Sequence, residues 1–253
     1  MSEIYFLVAV TTAIFILLNL LFLMQKSYLN LLRQIGGKTL VWIPASIFVP
    51  IHEISHLLMA WVCGHKVKSI TLFSFNDSGT LGSVEHTYRP SFLSHFTNMA
   101  IGLAPILGGG VTLYGIIISS NLLFPDPSLF ILQLSGVQVF NIASFLWQIV
   151  SNNGSYWQFW MTLYLSVNVV VFSIPSKQDF KGAGVGLIIT TSLVLFISSI
   201  DAGQGAYQFL SMAFQTTVLP VMLTALCVSA IINLILYIIS MIMKWLRGHK
   251  RLA

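Results

Sequence analysis

The chain has 253 residues, 56% of them hydrophobic and only 8% charged, with a mean hydropathy of +0.87. An ordinary soluble domain carries about 25% charged residues, so a water-soluble enzyme, a DNA-binding module and a disordered tail are excluded. The net charge of +5, from 12 Lys+Arg against 7 Asp+Glu, reports cytoplasmic loops rather than a nucleic-acid surface, and no nucleic-acid partner is expected.

A spanning helix needs about 20 mostly apolar residues. The segments that qualify are 4–24, 39–63, 91–120, 156–174, 183–200 and 213–243, which predicts an all-α polytopic membrane protein of about six transmembrane helices. The first begins Met1-Ser2-Glu3, without a basic leader or a small-residue cleavage site, and reads as a retained helix. After the second, Lys66–Phe75 alternates polar and apolar residues, Asn76-Asp77-Ser78-Gly79 is turn chemistry, and Thr80–Tyr88 is extended again. This predicts a small membrane-associated β-hairpin over 66–88. Residues 129–150 carry Gln133, Asn141, Ser144 and Gln148 on one side of a helix, the pattern of a helix in the interface plane, with a seventh span as the alternative. No repeat or long polar stretch divides the chain, so 1–253 reads as a single integral-membrane domain. Cys63 and Cys227 lie far apart in apolar surroundings and predict no disulfide or thiolate site.

The chemistry is concentrated in His52-Glu53-Ile54-Ser55-His56, inside the apolar run Pro50–Trp61. Histidines at i and i+4 share one helix face and can reach one metal ion, and the glutamate between them is placed to act as general base. Six His and three Glu in 253 residues give this spacing by accident about 0.2% of the time. Three titratable side chains at membrane depth also need compensation, since each costs at least about 2.5 kcal/mol there. A Zn²⁺ ion offsets that cost for all three.

Two histidines leave a tetrahedral zinc one protein ligand short. Asp179 is the first candidate: it follows a spanning helix, Pro175 breaks that helix, and Gly182, Gly184 and Gly186 allow close backbone approach. His95, at a helix start, and His86, in the hairpin, are the alternatives. The run Asn98–Gly110 resembles a phosphate loop only superficially, because no Lys-Ser/Thr follows. Close helix packing with a kink at Pro105 is expected there.

Taken together, several parts resemble the site-2 protease family of intramembrane zinc metalloproteases. They are the His52-Glu53-Ile-Ser-His56 helix, the Gly64–Phe73 run, the Gly79–Val84 turn, the small-residue helix Asn98–Gly110 and Asn168…Pro175…Asp179. The likeness covers roughly 39–120 and 156–186. It implies zinc held by His52, His56 and Asp179, with Glu53 as catalytic base, and cleavage of transmembrane or membrane-associated protein segments. Where the family's distal motif has glycine directly after the aspartate, Phe180 stands here and Gly182 follows later. The resemblance implies a multi-pass protein of the cell membrane, a bacterial inner membrane in this reading, with a membrane-protein substrate and the lipid bilayer as partners.

Lys26, Arg33 and Lys38 lie on one side, and the other basic residues on the opposite side, with six spans or with seven. The positive-inside rule is therefore neutral. A shared site for His56 and Asp179 selects six. Two other function classes compete: a catalytically silent binding protein of the same fold, and a transporter using Asp179 and Asp201. Glu53, which a bare metal scaffold does not need, disfavours the first. The lack of paired broken-helix repeats disfavours the second.

Overall fold

The computed structural model describes residues 2–74, 81–123, 154–198 and 219–249, together with Trp147, Val150, Ser151, Gln208 and Met212. The elements are α1 (Ser2–Val62), β1 (Lys66–Thr71), β2 (Ser83–Thr87), α2 (Phe92–Leu123), α3 (Trp157–Ser173), α4 (Lys177–Ser198) and α5 (Leu219–His249). The predicted interfacial helix over 129–150 lies almost wholly outside the described residues, as do Asp77, Asp126 and Asp201.

Element α1, 61 residues long, is two helical arms joined at Gly36-Gly37, where the backbone leaves helical geometry, Gly37 takes the left-handed φ of 70° and the chain turns back. The contacts of its two arms establish the reversal. Gln25 reaches the Val171 carbonyl at 2.6 Å, and His52 reaches the adjacent Phe172 carbonyl at 2.7 Å. A straight helix would hold residues 25 and 52 about 40 Å apart. The arms enclose the core with α3: Tyr28 and Leu32 from the first, Val41, Ala45, Phe48 and Val49 from the second, Val169, Val171 and Phe172 from α3.

The second arm shows why this is a membrane fold. Ile43, Ile47, Ile54, Leu58 and Trp61 are exposed and fall within about 60° on the helix wheel. The opposite stripe holds buried Ala45, Phe48 and Val49 together with His52 and buried His56. Apolar outside and titratable inside is the reverse of a water-soluble helix.

Among the described residues three helices are long and apolar enough to cross a membrane: Val8–Val62, Phe92–Ile116 and Ala225–Arg247. The pair α3–α4, bent by 61° at its break, makes a fourth if it counts as one span. The expected six separate spans are therefore not supported. Segments 4–24 and 39–63 belong to one doubled-back helical element. Segments 156–174 and 183–200 belong to the bent pair, whose second helix starts at Lys177 rather than at 183. Buried Pro175 makes the bend, since it has no N–H to continue the α3 ladder.

The hairpin forms as expected, with shorter strands than its sequence pattern. β1 and β2 pair antiparallel in the register Lys66↔Thr87, Val67↔His86, Ser69↔Glu85, Ile70↔Val84, Thr71↔Ser83, with a bulge at Lys68. Residues 75–80 lie outside the described residues. The hairpin is launched by a Schellman end on α1: His65 N–H donates to the Ala60 carbonyl at 2.9 Å and Gly64 N–H to Trp61 at 3.0 Å, with Gly64 at φ 70°. Cys63 and Cys227 are free thiols.

Candidate metal centre

His52 and His56 project from the inner face of the second α1 arm, one turn apart, and Asp179 meets them from the first turn of α4. The two Nε2 atoms are 3.1 Å apart. Asp179 Oδ2 lies 3.5 Å from His52 Nε2, and Oδ1 lies 3.2 Å from His56 Nε2. All three potential ligand atoms fall within 4.8 Å of one another.

The protons are set by what stands behind the rings. His52 Nδ1–H donates to the Phe172 carbonyl at 2.7 Å, and His56 Nδ1–H to the Ile101 carbonyl at 2.8 Å. A carbonyl only accepts, so each neutral imidazole carries its proton on Nδ1 and turns the Nε2 lone pair inward. Two lone pairs and a carboxylate thus converge with no proton between them. Such a donor set repels itself when empty and fits a divalent cation, which Asp and His ligands hold together.

Those carbonyls are free for a reason legible in the chain. In a helix the Ile101 carbonyl accepts from the N–H of residue 105, which is Pro105 and has none. Phe172 lies in the last turn of α3, where its acceptor would be filled by Ser176 N–H. That N–H instead donates to Asp179 Oδ2 at 2.6 Å, while Asp179 N–H donates to Ser176 Oγ at 3.2 Å. Ser176 and Asp179 form a capping box with aspartate at its third position. It turns the carboxylate back over the α4 N-terminus, towards the histidines. Asp179 thus does more than follow the end of α3: it sits inside the first turn of the next helix.

Helix α2 presses close to the site through its small residues. A Cβ on Gly102 would lie 2.7 Å from the Asp179 carbonyl oxygen, and one on Gly108 would collide with Ser55 Oγ. This is the close packing expected of 98–110, with no phosphate loop.

Glu53 is buried at 7% exposure beside the ligand cluster and does not belong to it. Gly82, directly before β2, lies over it: a Cβ there would stand 2.7 Å from Glu53 Cγ and 2.9 Å from Oε1. The turn end of the hairpin therefore adjoins the carboxylate. The alternative third ligands are elsewhere. His86 Nδ1 is 3.0 Å from His65 Nδ1, and His65 Nε2 is 2.9 Å from Thr97 Oγ1. His95 is outside the cluster as well, and its backbone carbonyl packs against Gly186. Burial lowers the pKa of His65, and burial with the neighbouring His65 lowers that of His86.

No family model, curated protein or solved structure matches this chain.

Proposed function

We propose that the protein is an intramembrane zinc metalloendopeptidase that cleaves transmembrane or membrane-associated protein segments in the cell membrane, a bacterial inner membrane in our reading. The observation that carries this is the convergence of two Nε2 lone pairs and a carboxylate beside buried Glu53, on a helix whose opposite face is exposed and apolar. The likeness of the His52–His56 run and of the distal Asp179 to site-2 proteases supports the same reading.

His52, His56 and Asp179 would hold the ion. When bound, zinc supplies Lewis acidity, which lowers the pKa of water towards neutrality and polarises a carbonyl. The chain's own residues do the rest. Glu53 is ionisable, buried and one residue from a ligand, so its carboxylate is placed to take the proton of the attacking water and pass it to the leaving amine. Burial of the site excludes bulk water, which strengthens these charge interactions. The turn end of the hairpin beside Glu53 offers strand edges, on which an unwound substrate segment would pair by β-addition.

The test is Glu53→Gln in purified full-length protein, assayed with a transmembrane model substrate. Zinc content and fold should stay at the wild-type level while turnover falls by 10² or more, because the amide cannot accept the proton. Unchanged cleavage in this variant would remove the mechanism.

A further inference from the structure

A second polar feature lies where the chain leaves and re-enters the apolar region. A cavity of about 610 Å³ opens between the end of α1, the hairpin base and the start of α2, lined among others by His65, Lys66, Arg89, Ser91, Ser94 and Thr97. It contains no acidic residue. Among the described residues neither Lys66 nor Arg89 has a carboxylate partner, so two cations face one hollow without a counter-charge.

We propose that this cavity binds a phosphate-bearing anion, the headgroup of an anionic lipid. Two features point there, the uncompensated Lys66 and Arg89 in the cavity lining and the α2 N-terminus beside them. The cations flank the first turn of α2, whose amide dipoles favour negative charge. Ser91 and Ser94 close that turn reciprocally: Ser94 N–H donates to Ser91 Oγ and Ser91 N–H to Ser94 Oγ, both at 3.2 Å. The amides of Phe92 and Leu93 are left as first-turn donors.

The surroundings choose a lipid over an acidic peptide. Trp61, Val62, Phe92 and Leu93, at the adjoining helix ends, are 59–81% exposed, and the indole of Trp61 suits the headgroup level. An acyl chain has apolar surface to lie on directly beside the cationic hollow. The site is separate from the metal centre and requires nothing of it.

The test uses the full chain in a neutral detergent, with retained lipid read by native mass spectrometry from mixtures of phosphatidylglycerol and phosphatidylcholine. Each basic side chain near a membrane surface is worth about fivefold in anionic-lipid binding, so wild type should retain the anionic lipid tenfold or more over the zwitterionic one. Lys66→Gln/Arg89→Gln should bring the ratio close to one, and Lys66→Arg/Arg89→Lys should restore it. Lys26→Gln/Arg33→Gln, which removes the same charge near the other end of the α1 arms, should keep the preference. Inorganic phosphate forms the second arm. Protection from thermal unfolding by phosphate that needs both cations, without a lipid preference, supports the site and assigns it a free anion. Equal anionic-lipid retention in wild type and the glutamine pair, or selective capture of an acidic peptide instead, overturns the proposal.

Discussion

Replacing Pro105 tests how the metal centre is oriented without touching a ligand. Pro105→Ala and Pro105→Gly both restore an N–H at 105, which will seek the Ile101 carbonyl that now accepts from His56 at 2.8 Å. The carbonyl has a second lone pair, so the histidine's bond is weakened rather than abolished. Loss of an orienting partner behind a metal ligand costs 10- to 100-fold in affinity. The lower end applies here, about tenfold or about 1.4 kcal/mol. Alanine and glycine in a helix interior differ by about 1 kcal/mol in stability. A loss of zinc that merely follows weakened folding would therefore separate the two variants. A loss that follows the carbonyl would be equal in both. Chelator-competition zinc titration in detergent, beside thermal unfolding of the metal-free forms, reads the two effects separately. Wild-type affinity in either variant, at unchanged fold, refutes the orientation argument.

Purified protein should carry about one zinc per chain, and His56→Ala or Asp179→Asn should empty the site, as removing one of three protein ligands does; full metal content in both, by elemental analysis, would sink the centre as drawn. The His65–His86 contact should make the hairpin base sensitive to acid. Both pKa values lie below the ordinary imidazole value, so folding favours the neutral pair. Its contribution is full above about pH 6.5 and lost as pH falls below it. The hydrogen-exchange protection factors of 65–71 and 83–88, taken against the intrinsic rate at each pH, should fall between pH 7.5 and 5.5, and identical protection factors would count against the pair.

Sequence reasoning reached the His52–His56–Asp179 cluster, which could hold a metal ion, because its main signal is local. The i, i+4 spacing of His52 and His56 specifies a helix face whatever the tertiary fold, and the structure puts that face inward. The hairpin was equally legible from alternation and turn residues. The span count was not. The apolar windows 4–24 and 39–63 counted as two separate spans, whereas the structure joins them through Gly36-Gly37 in one doubled-back element, and the polar start Lys177-Gln178-Asp179 hides the first turn of α4. For the same reason Asp179 read as lying past the end of one span and before the next at 183, although it belongs to the first turn of α4. The Ser176-x-x-Asp179 spacing was the missed signal, because a capping box announces a helix start even where hydropathy is low. The sequence already ranked Asp179 ahead of His86 and His95, and the distances in the fold group it with His52 and His56.

The two prolines also explain how such a site is tolerated among apolar helices. A backbone carbonyl without a donor is costly in lipid, and so is an imidazole N–H without an acceptor. Pro105 removes the donor for Ile101, and the α3 end with Pro175 leaves Phe172 unsatisfied; each vacancy is filled by one histidine Nδ1–H. Pro175 also frees the Val171 carbonyl, which Gln25 of the first arm takes at 2.6 Å. Each of these three freed carbonyls is thus paired with a side chain that needed a partner, and two of the three pairings aim a lone pair at the same point. The helix breaks and the ligand orientation are one arrangement, so a substitution that mends a ladder should loosen the site even though it improves the helix.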